Sequence, residues 1–205
     1  MAIRFIYFDL GRVLLDFDVP MMIDRVSVAT GLVADDVHRA IFVGGLQVKF
    51  ETGLLTLDTF HEEFCRTTGA VCELTELMVA AADIFEPRPS MLPVVSQLYQ
   101  AGYPLGVLSN TADHHWQHCL ARYALLREFF QVYALSFRIG AMKPARKIYE
   151  EAARLAGYPP GEIFFCDDIL ENVEGARAAG LDAVQYTSTP QLVEDLRKRG
   201  VRFNY

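Results

Sequence analysis

The second half of the chain repeats one pattern: helical periodicity, a glycine, a short loop, then a run of apolar residues. Gly102, Gly157, Gly180 and Gly200 each stand just past a helical stretch, where a left-handed residue is needed to leave the helix. After the first three, an apolar run follows within about five residues. The runs are Leu105–Leu108, Ile163–Cys166 and Ala183–Tyr186, with Val132–Leu135 and the earlier Ile3–Phe8 completing the set. Runs this short and apolar read as buried strands, and strands alternating with helices make parallel crossovers. The intervening helices run from a Ser90 cap to Ala101, over Ala145–Ala156 with Ile148, Ala152 and Leu155 on one face, over Glu171–Ala179, and onward from a Thr189 cap followed by Pro190. The fold class is therefore α/β, a doubly wound, Rossmann-like parallel sheet.

The first half breaks this rhythm. From Phe17 to Arg88 the pattern is helical, around Met21–Ala29, Asp35–Phe42, Leu57–Thr67 and Glu73–Ile84, and strand pattern is nearly absent. A block of about 70 residues between the first strand and its parallel neighbour is far longer than an ordinary crossover. It reads as an inserted helical cap, which divides the chain into a core of residues 1–16 and 89–205 and a cap of residues 17–88.

Composition narrows the function. Of the 205 residues, 52% are apolar and 22% charged, enough to build a core. Nineteen Lys and Arg against 26 Asp and Glu give a net charge of −7, and the basic residues are scattered, so no nucleic-acid groove is expected. No apolar run approaches the ~18 residues that span a bilayer. The N-terminal stretch lacks a basic region followed by a long apolar run, so no signal peptide is expected and the reading is a soluble cytoplasmic protein. Cys65, Cys72, Cys119 and Cys166 form no CxxC pair and show no His at zinc spacing; they read as buried free thiols.

In open α/β sheets, ligands bind at the carboxyl ends of the strands. The first run is followed by Asp9-Leu10-Gly11-Arg12, the Leu105 run by Ser109-Asn110-Thr111, and the Ile163 run by Asp167-Asp168, while Lys143-Pro144 precedes the Ala145 helix. Taken singly, each has an ordinary explanation as a turn, a helix cap or a solvated lysine. Taken together, they place three carboxylates and a lysine at one edge of one sheet. Close carboxylates repel unless a cation lies among them, and hard oxygen donors with few protein ligands suit Mg²⁺. A carboxylate can then attack phosphorus while Ser109, backbone N–H groups near Asn110, and Lys143 hold the phosphoryl oxygens.

The order Asp9, Ser109-Asn110, Lys143-Pro144, then Asp167-Asp168 with Asn172, resembles the four motifs of the haloacid dehalogenase-like hydrolase superfamily. The stretches FDLGRVLLDFD, VLSNT, GAMKPARKIY and FFCDDILENVEGARAAG carry the resemblance, and the block after the first motif resembles that superfamily's α-helical cap. The details look most like members that dephosphorylate α-D-glucose 1-phosphate and similar sugar phosphates. The resemblance implies a phosphatase with Asp9 as nucleophile. It implies Mg²⁺ held by Asp9, the Gly11 carbonyl and Asp168, with Asp167 in support, and phosphate held by Ser109, Asn110 and Lys143. The expected partner is a small phosphate ester, with no nucleic acid and no membrane.

One departure stands out. Most phosphatases of the superfamily carry a second Asp two residues after the nucleophile for proton transfer, and here that place is Gly11. General acid–base help is worth roughly 10²–10⁴ in rate. Asp16, Asp18, His114 and His115 are candidate substitutes, and Arg12 is a candidate contact for a substrate anion. Phe42, Gln47, Lys49 and Glu51 are candidates for cap specificity. Two alternatives stay open. A 2-haloacid dehalogenase typically has an aromatic residue at the Gly11 place and a less acidic last motif; a non-catalytic binding protein would retain the site as a relic.

Overall fold

The computed structural model describes residues 2–205. Five strands form one parallel sheet: β1 (Phe5–Phe8), β4 (Leu105–Ser109), β5 (Val132–Leu135), β6 (Ile163–Asp167) and β7 (Asp182–Gln185). Their spatial order is β5-β4-β1-β6-β7, with every neighbouring pair parallel. The sheet is buried on both faces, and its side chains sort with period two. Ile6, Phe8, Phe164 and Cys166 face one core, while Phe5, Tyr7, Ile163 and Phe165 face the other. The chain leaves β1 for β4 on one side and later returns to β6 on the other. The crevice beyond β1 is thus a topological switch point, where ligands of such sheets bind.

The helices follow the glycine signals. Gly102, Gly157, Gly180 and Gly200 all have φ between 76° and 92° or, for Gly157, 75°. Helix α6 (Met91–Gln100), α10 (Arg146–Ala156), α11 (Leu170–Ala178) and α12 (Thr189–Lys198) cover the sheet. Several local expectations are corrected. Ser90 makes no capping hydrogen bond, because its hydroxyl is paired with Thr189 Oγ1 at 2.7 Å. Ser188, not Thr189, caps α12 by accepting from the Gln191 N–H. Leu155 is exposed, and α10 instead buries Ile148, Tyr149, Ala152 and Ala153. Remaining helices α7 (Asp113–Arg122), α8 (Ala124–Glu128) and α9 (Ser136–Ile139) join β4 to β5 and β5 to α10.

Between β1 and β4 the chain builds α1 (Val19–Thr30), α2 (Ala34–His38) running into a π-helical turn at Arg39–Val43, α3 (Leu46–Glu51), α4 (Leu57–Thr68) and α5 (Leu74–Ala82). The single helix expected over Asp35–Phe42 is therefore two pieces, and α3 has no counterpart in the sequence reading. The segment is not free of strand either. Leu15–Phe17 (β2) pairs antiparallel with Phe85–Pro87 (β3), Leu15 opposite Pro87 and Phe17 opposite Phe85, where the chain enters and leaves the helices. Cys119 and Cys166 are buried as expected, but Cys65 and Cys72 are half-buried and lie against His61. Among the described residues, no helix is long and apolar enough to cross a membrane.

One close approach fixes the loop that carries Lys143. A Cβ on Gly175, in α11, would lie 2.7 Å from the Pro144 carbonyl oxygen and 2.9 Å from its Cβ. Only a glycine lets α11 reach the Lys143-Pro144 turn. Gly175→Ala is expected to cost about 1–3 kcal/mol in urea unfolding, the usual penalty of overpacking. Unchanged stability would show that the turn is free to move.

Candidate active site

The loops beyond the carboxyl ends of β1, β4, β5 and β6 meet around one buried ammonium. Lys143 Nζ lies 2.8 Å from Asp9 Oδ1 and 2.5 Å from Asp167 Oδ2, and donates to the Leu108 carbonyl oxygen at 3.1 Å. Its side chain is 1% exposed, so the lysine is a core element and not surface. Burial alone would pull its pKa down, yet Asp9 and Asp167 more than offset this and the group is held above the ordinary lysine value. Burial pushes the Asp9 carboxyl up to about 7; Lys143 opposes that and Asp167 adds to it.

Each carboxylate is placed by backbone. Asp9 follows β1 directly, its N–H donating to the Cys166 carbonyl at 3.0 Å, and its Oδ1 accepts from the Leu10 N–H at 2.7 Å. Asp167 ends β6 and is fully buried. Its Oδ1 accepts from Ile169 N–H and from Asn172 Nδ2, and its Oδ2 accepts from Lys143 and Asn172. That leaves Asp167 with no oxygen to spare. Asp168 is half-buried, and Gln185 holds its carbonyl at 2.9 Å. Burial, then Asp167, raises the Asp168 pKa against the pull of Lys143 and Arg12.

One oxygen from each of Asp9, Asp167 and Asp168 falls within 4.8 Å of the others. Three carboxylates against one buried lysine leave a surplus of negative charge. With Asp167 committed to Lys143 and Asn172, the free hard donors are Asp9 and Asp168, and Gly11 lines the same cavity. This donor set fits a divalent cation of the Mg²⁺ type.

The Asn110 side chain takes a part other than the phosphate contact expected of it, while Ser109 stays available. The Asn110 side chain donates to the Lys143 carbonyl at 3.0 Å and accepts from its N–H at 2.7 Å, so its amide clamps the lysine loop and only its backbone is free for phosphate. Ser109 makes only a 3.3 Å contact to the Asn110 carbonyl, which leaves its hydroxyl able to turn into the site. Ser136 was not picked out by sequence. It is fully buried, accepts from the Thr111 N–H and donates to the Thr111 carbonyl, holding the β4 loop. A lone serine at a strand end gives no local sign of such a role.

Above these loops lies a cavity of about 310 Å³. Asp9, Gly11, Arg12, Ser109, Asn110, Lys143 and Asp168 line its floor. The helical segment and α7 supply its walls, which are mostly apolar: Phe17, Met22, Ile41, Phe42, Phe50 and Phe60 among them, with Gln47, Glu51, His114 and His115 as polar members. Lys49 does not line it and faces Glu63 instead. Of the proton-transfer candidates, exposed Asp16 is engaged by Arg88, and Asp18 caps α1 by accepting from Met21 N–H. His115 bonds the Ala81 carbonyl. His114 stacks on Phe50 at 4.9 Å with its Nδ1 buried and unpaired.

The Gly11 position has a structural cause. A Cβ there would meet Phe17 Cε1 at 2.8 Å, so the Phe17 ring occupies the space of a side chain at residue 11. Arg12, at φ 58°, lies over the same ring at 5.1 Å. A non-glycine residue in that conformation is strained and is held by its surroundings.

A parallel sheet with a carboxylate-lysine cluster at its switch point and helices over the crevice defines a doubly wound, Rossmann-like α/β fold with a polar site at its carboxyl edge. The chain belongs to the haloacid dehalogenase-like hydrolase family, whose model matches residues 22–180. It is 29% identical over 211 residues to a phosphatase of Mycobacterium tuberculosis, covering 98% of this chain and 96% of that one. It is 36% identical over 102 residues to a glyceraldehyde 3-phosphate phosphatase of Methanopyrus kandleri, covering 49% of this chain and 43% of that one. The fold is shared with a haloacid dehalogenase family enzyme of Bacteroides thetaiotaomicron solved with magnesium and inorganic phosphate, at a TM-score of 0.78 and 23% identity, covering 90% of this chain and 94% of that one.

If Phe17 fills the residue 11 slot, Gly11→Asp is expected to cost about 1–3 kcal/mol by overpacking. In a Phe17→Ala background the same change should cost less. A double-mutant cycle by thermal unfolding measures the coupling, and strict additivity would remove Phe17 from this part.

Proposed function

We propose that this chain is a Mg²⁺-dependent phosphatase acting on a small phosphomonoester through an aspartyl-phosphate on Asp9, with residues 17–88 forming a cap over a core of residues 1–16 and 89–205. The observation that carries the reading is the floor of the cavity: Asp9 and Asp168 with free oxygens, Ser109 with a free hydroxyl, and Lys143 buried between Asp9 and Asp167. The phosphatase relatives and the magnesium and phosphate found with a protein of the same fold support it. Asp9, Asp168 and the Gly11 carbonyl would hold the ion, which would supply positive charge against the phosphoryl oxygens.

In the proposed reaction an Asp9 oxygen attacks phosphorus and the bond to the leaving oxygen breaks. Ser109 and the backbone near Asn110 hold the phosphoryl oxygens while Lys143 offsets their charge. The leaving oxygen takes a proton. Water then attacks the same phosphorus, loses a proton and frees Asp9 and inorganic phosphate.

Glu51 is the group we assign to those two proton transfers. It lines the cavity, is 8% exposed and is bonded to Gln47 at 2.9 Å. Burial raises its pKa, which favours the protonated acid, and lowers that of His114, which then has no proton to give.

The substrate's organic part is the finer question. The motifs resemble sugar-phosphate phosphatases, whereas the walls are largely aromatic and aliphatic and offer few partners for a polyol. We favour a leaving group with an apolar face.

With Mg²⁺ the purified protein is expected to release phosphate from a phosphomonoester panel, with apolar alkyl or aryl esters ahead of glucose 1-phosphate in kcat/KM. Asp9→Asn should abolish release and keep the native circular dichroism spectrum. Release of halide from 2-haloacids in EDTA, with no phosphatase activity, would replace this reading by the dehalogenase one. Glu51→Gln is expected to slow steady-state phosphate release by roughly 10²–10⁴ on all esters, while aryl esters, whose leaving groups need no proton, still give a fast burst of one equivalent of phenol. Unchanged steady-state turnover would remove Glu51 from proton transfer.

A further inference from the structure

Away from the cavity floor, three soft ligands converge on the outer part of the helical segment. His61 and Cys65 stand one turn apart on α4, and Cys72 follows the Gly69 turn that leads to α5. Cys65 Sγ lies 3.5 Å from His61 Nε2 and 3.9 Å from Cys72 Sγ, and Cys72 Sγ lies 3.9 Å from His61 Nε2. A tetrahedral zinc ion with bonds of ~2.3 Å to sulfur and ~2.05 Å to nitrogen would set its ligands about 3.8 Å apart for S···S and about 3.6 Å for S···N. The three observed separations match that triangle to within a few tenths of an ångström.

We propose that His61, Cys65 and Cys72 form a Zn²⁺ site that clips the end of α4 to the start of α5. All three residues are half-buried, which leaves the ion a route in. The fourth position falls to water or to a carboxylate of Glu73 or Glu76, both exposed and close enough for their charge to act on Cys72. His61 Nε2 donates to the Cys72 carbonyl oxygen at 2.8 Å. Zinc binding moves that proton to Nδ1, releases the two thiol protons to solvent and turns the Nε2 lone pair to the ion. The donors are two sulfurs and an imidazole, a soft set unlike the all-oxygen set around Asp9, so the two sites sort different metals.

The clip has a structural consequence. His61 is the residue after Phe60, which lines the catalytic cavity and stacks on Phe50 at 4.5 Å. Fixing α4 at His61 holds that wall of the cavity.

The test uses the full-length, reduced protein with Zn²⁺ alone, by competition with a chromophoric chelator, and with Co²⁺ as the spectroscopic probe. One equivalent of Zn²⁺ is expected to bind, and Co²⁺ should give a thiolate charge-transfer band and intense tetrahedral visible bands. Cys65→Ser and Cys72→Ser should each weaken binding by at least the ~10–100-fold that loss of a mere supporting partner costs. Asp9→Asn should bind as the parent does, which keeps this readout apart from the phosphatase reading. Absence of the thiolate band, or Zn²⁺ binding that survives both serine variants and is lost in Asp9→Asn, would overturn the site. So would reduced protein that binds no Zn²⁺ in the chelator competition.

Discussion

The site depends on one ammonium group enclosed between two carboxylates. Lys143 is out of water, touching Asp9, Asp167 and the Leu108 carbonyl. An unpaired buried charge is costly, and removing one partner of such a group typically costs about 3–5 kcal/mol. Burying Lys143 therefore favours the arrangement of β1, β4 and β6 that supplies these partners. Asp167 consumes its oxygens in the process. The negative charge left on Asp9 and Asp168 is what suits the floor to a cation.

Packing and hydrogen bonds around the lysine make the arrangement rigid. Asn110 grips the Lys143 backbone from both sides, Asn172 grips both oxygens of Asp167, and Gly175 lets α11 press on Pro144. Tyr149 in α10 adds a bond to the Asn172 carbonyl at 2.7 Å. A floor built this way is preorganised, which is how fixed dipoles and charges act on a reacting phosphoryl group with little reorganisation.

The walls follow another logic. They come from the long segment between β1 and β4 and are mostly apolar, so they shape what fits and exclude water. The Phe17 ring sits where a side chain at residue 11 would go, and α3 brings Glu51 to the cavity from a different part of the chain. Our reading is that proton transfer has moved from the floor to the wall. The same segment carries the His61, Cys65 and Cys72 cluster. The sequence hides it because the cysteines have six residues between them across a turn and the histidine is upstream by one helical turn, none of which matches a common zinc spacing.

The sequence by itself determined the sheet, because short apolar runs, period two, and glycines after helices are local signals with local causes. All five strands of the parallel sheet and the polar residues at their ends were legible, and so was the helical character of the segment after β1. The short ribbon of β2 and β3 and helix α3 were not, since three- and six-residue elements are too brief to show a period. Only the tertiary structure decided which polar groups were used up and which stayed free. It tied up Asp167 and the Asn110 amide, freed Asp168 and Ser109, filled the space at Gly11 with Phe17, and brought Glu51 to the cavity. These outcomes depend on contacts between residues distant in sequence, and no pattern along the chain records them.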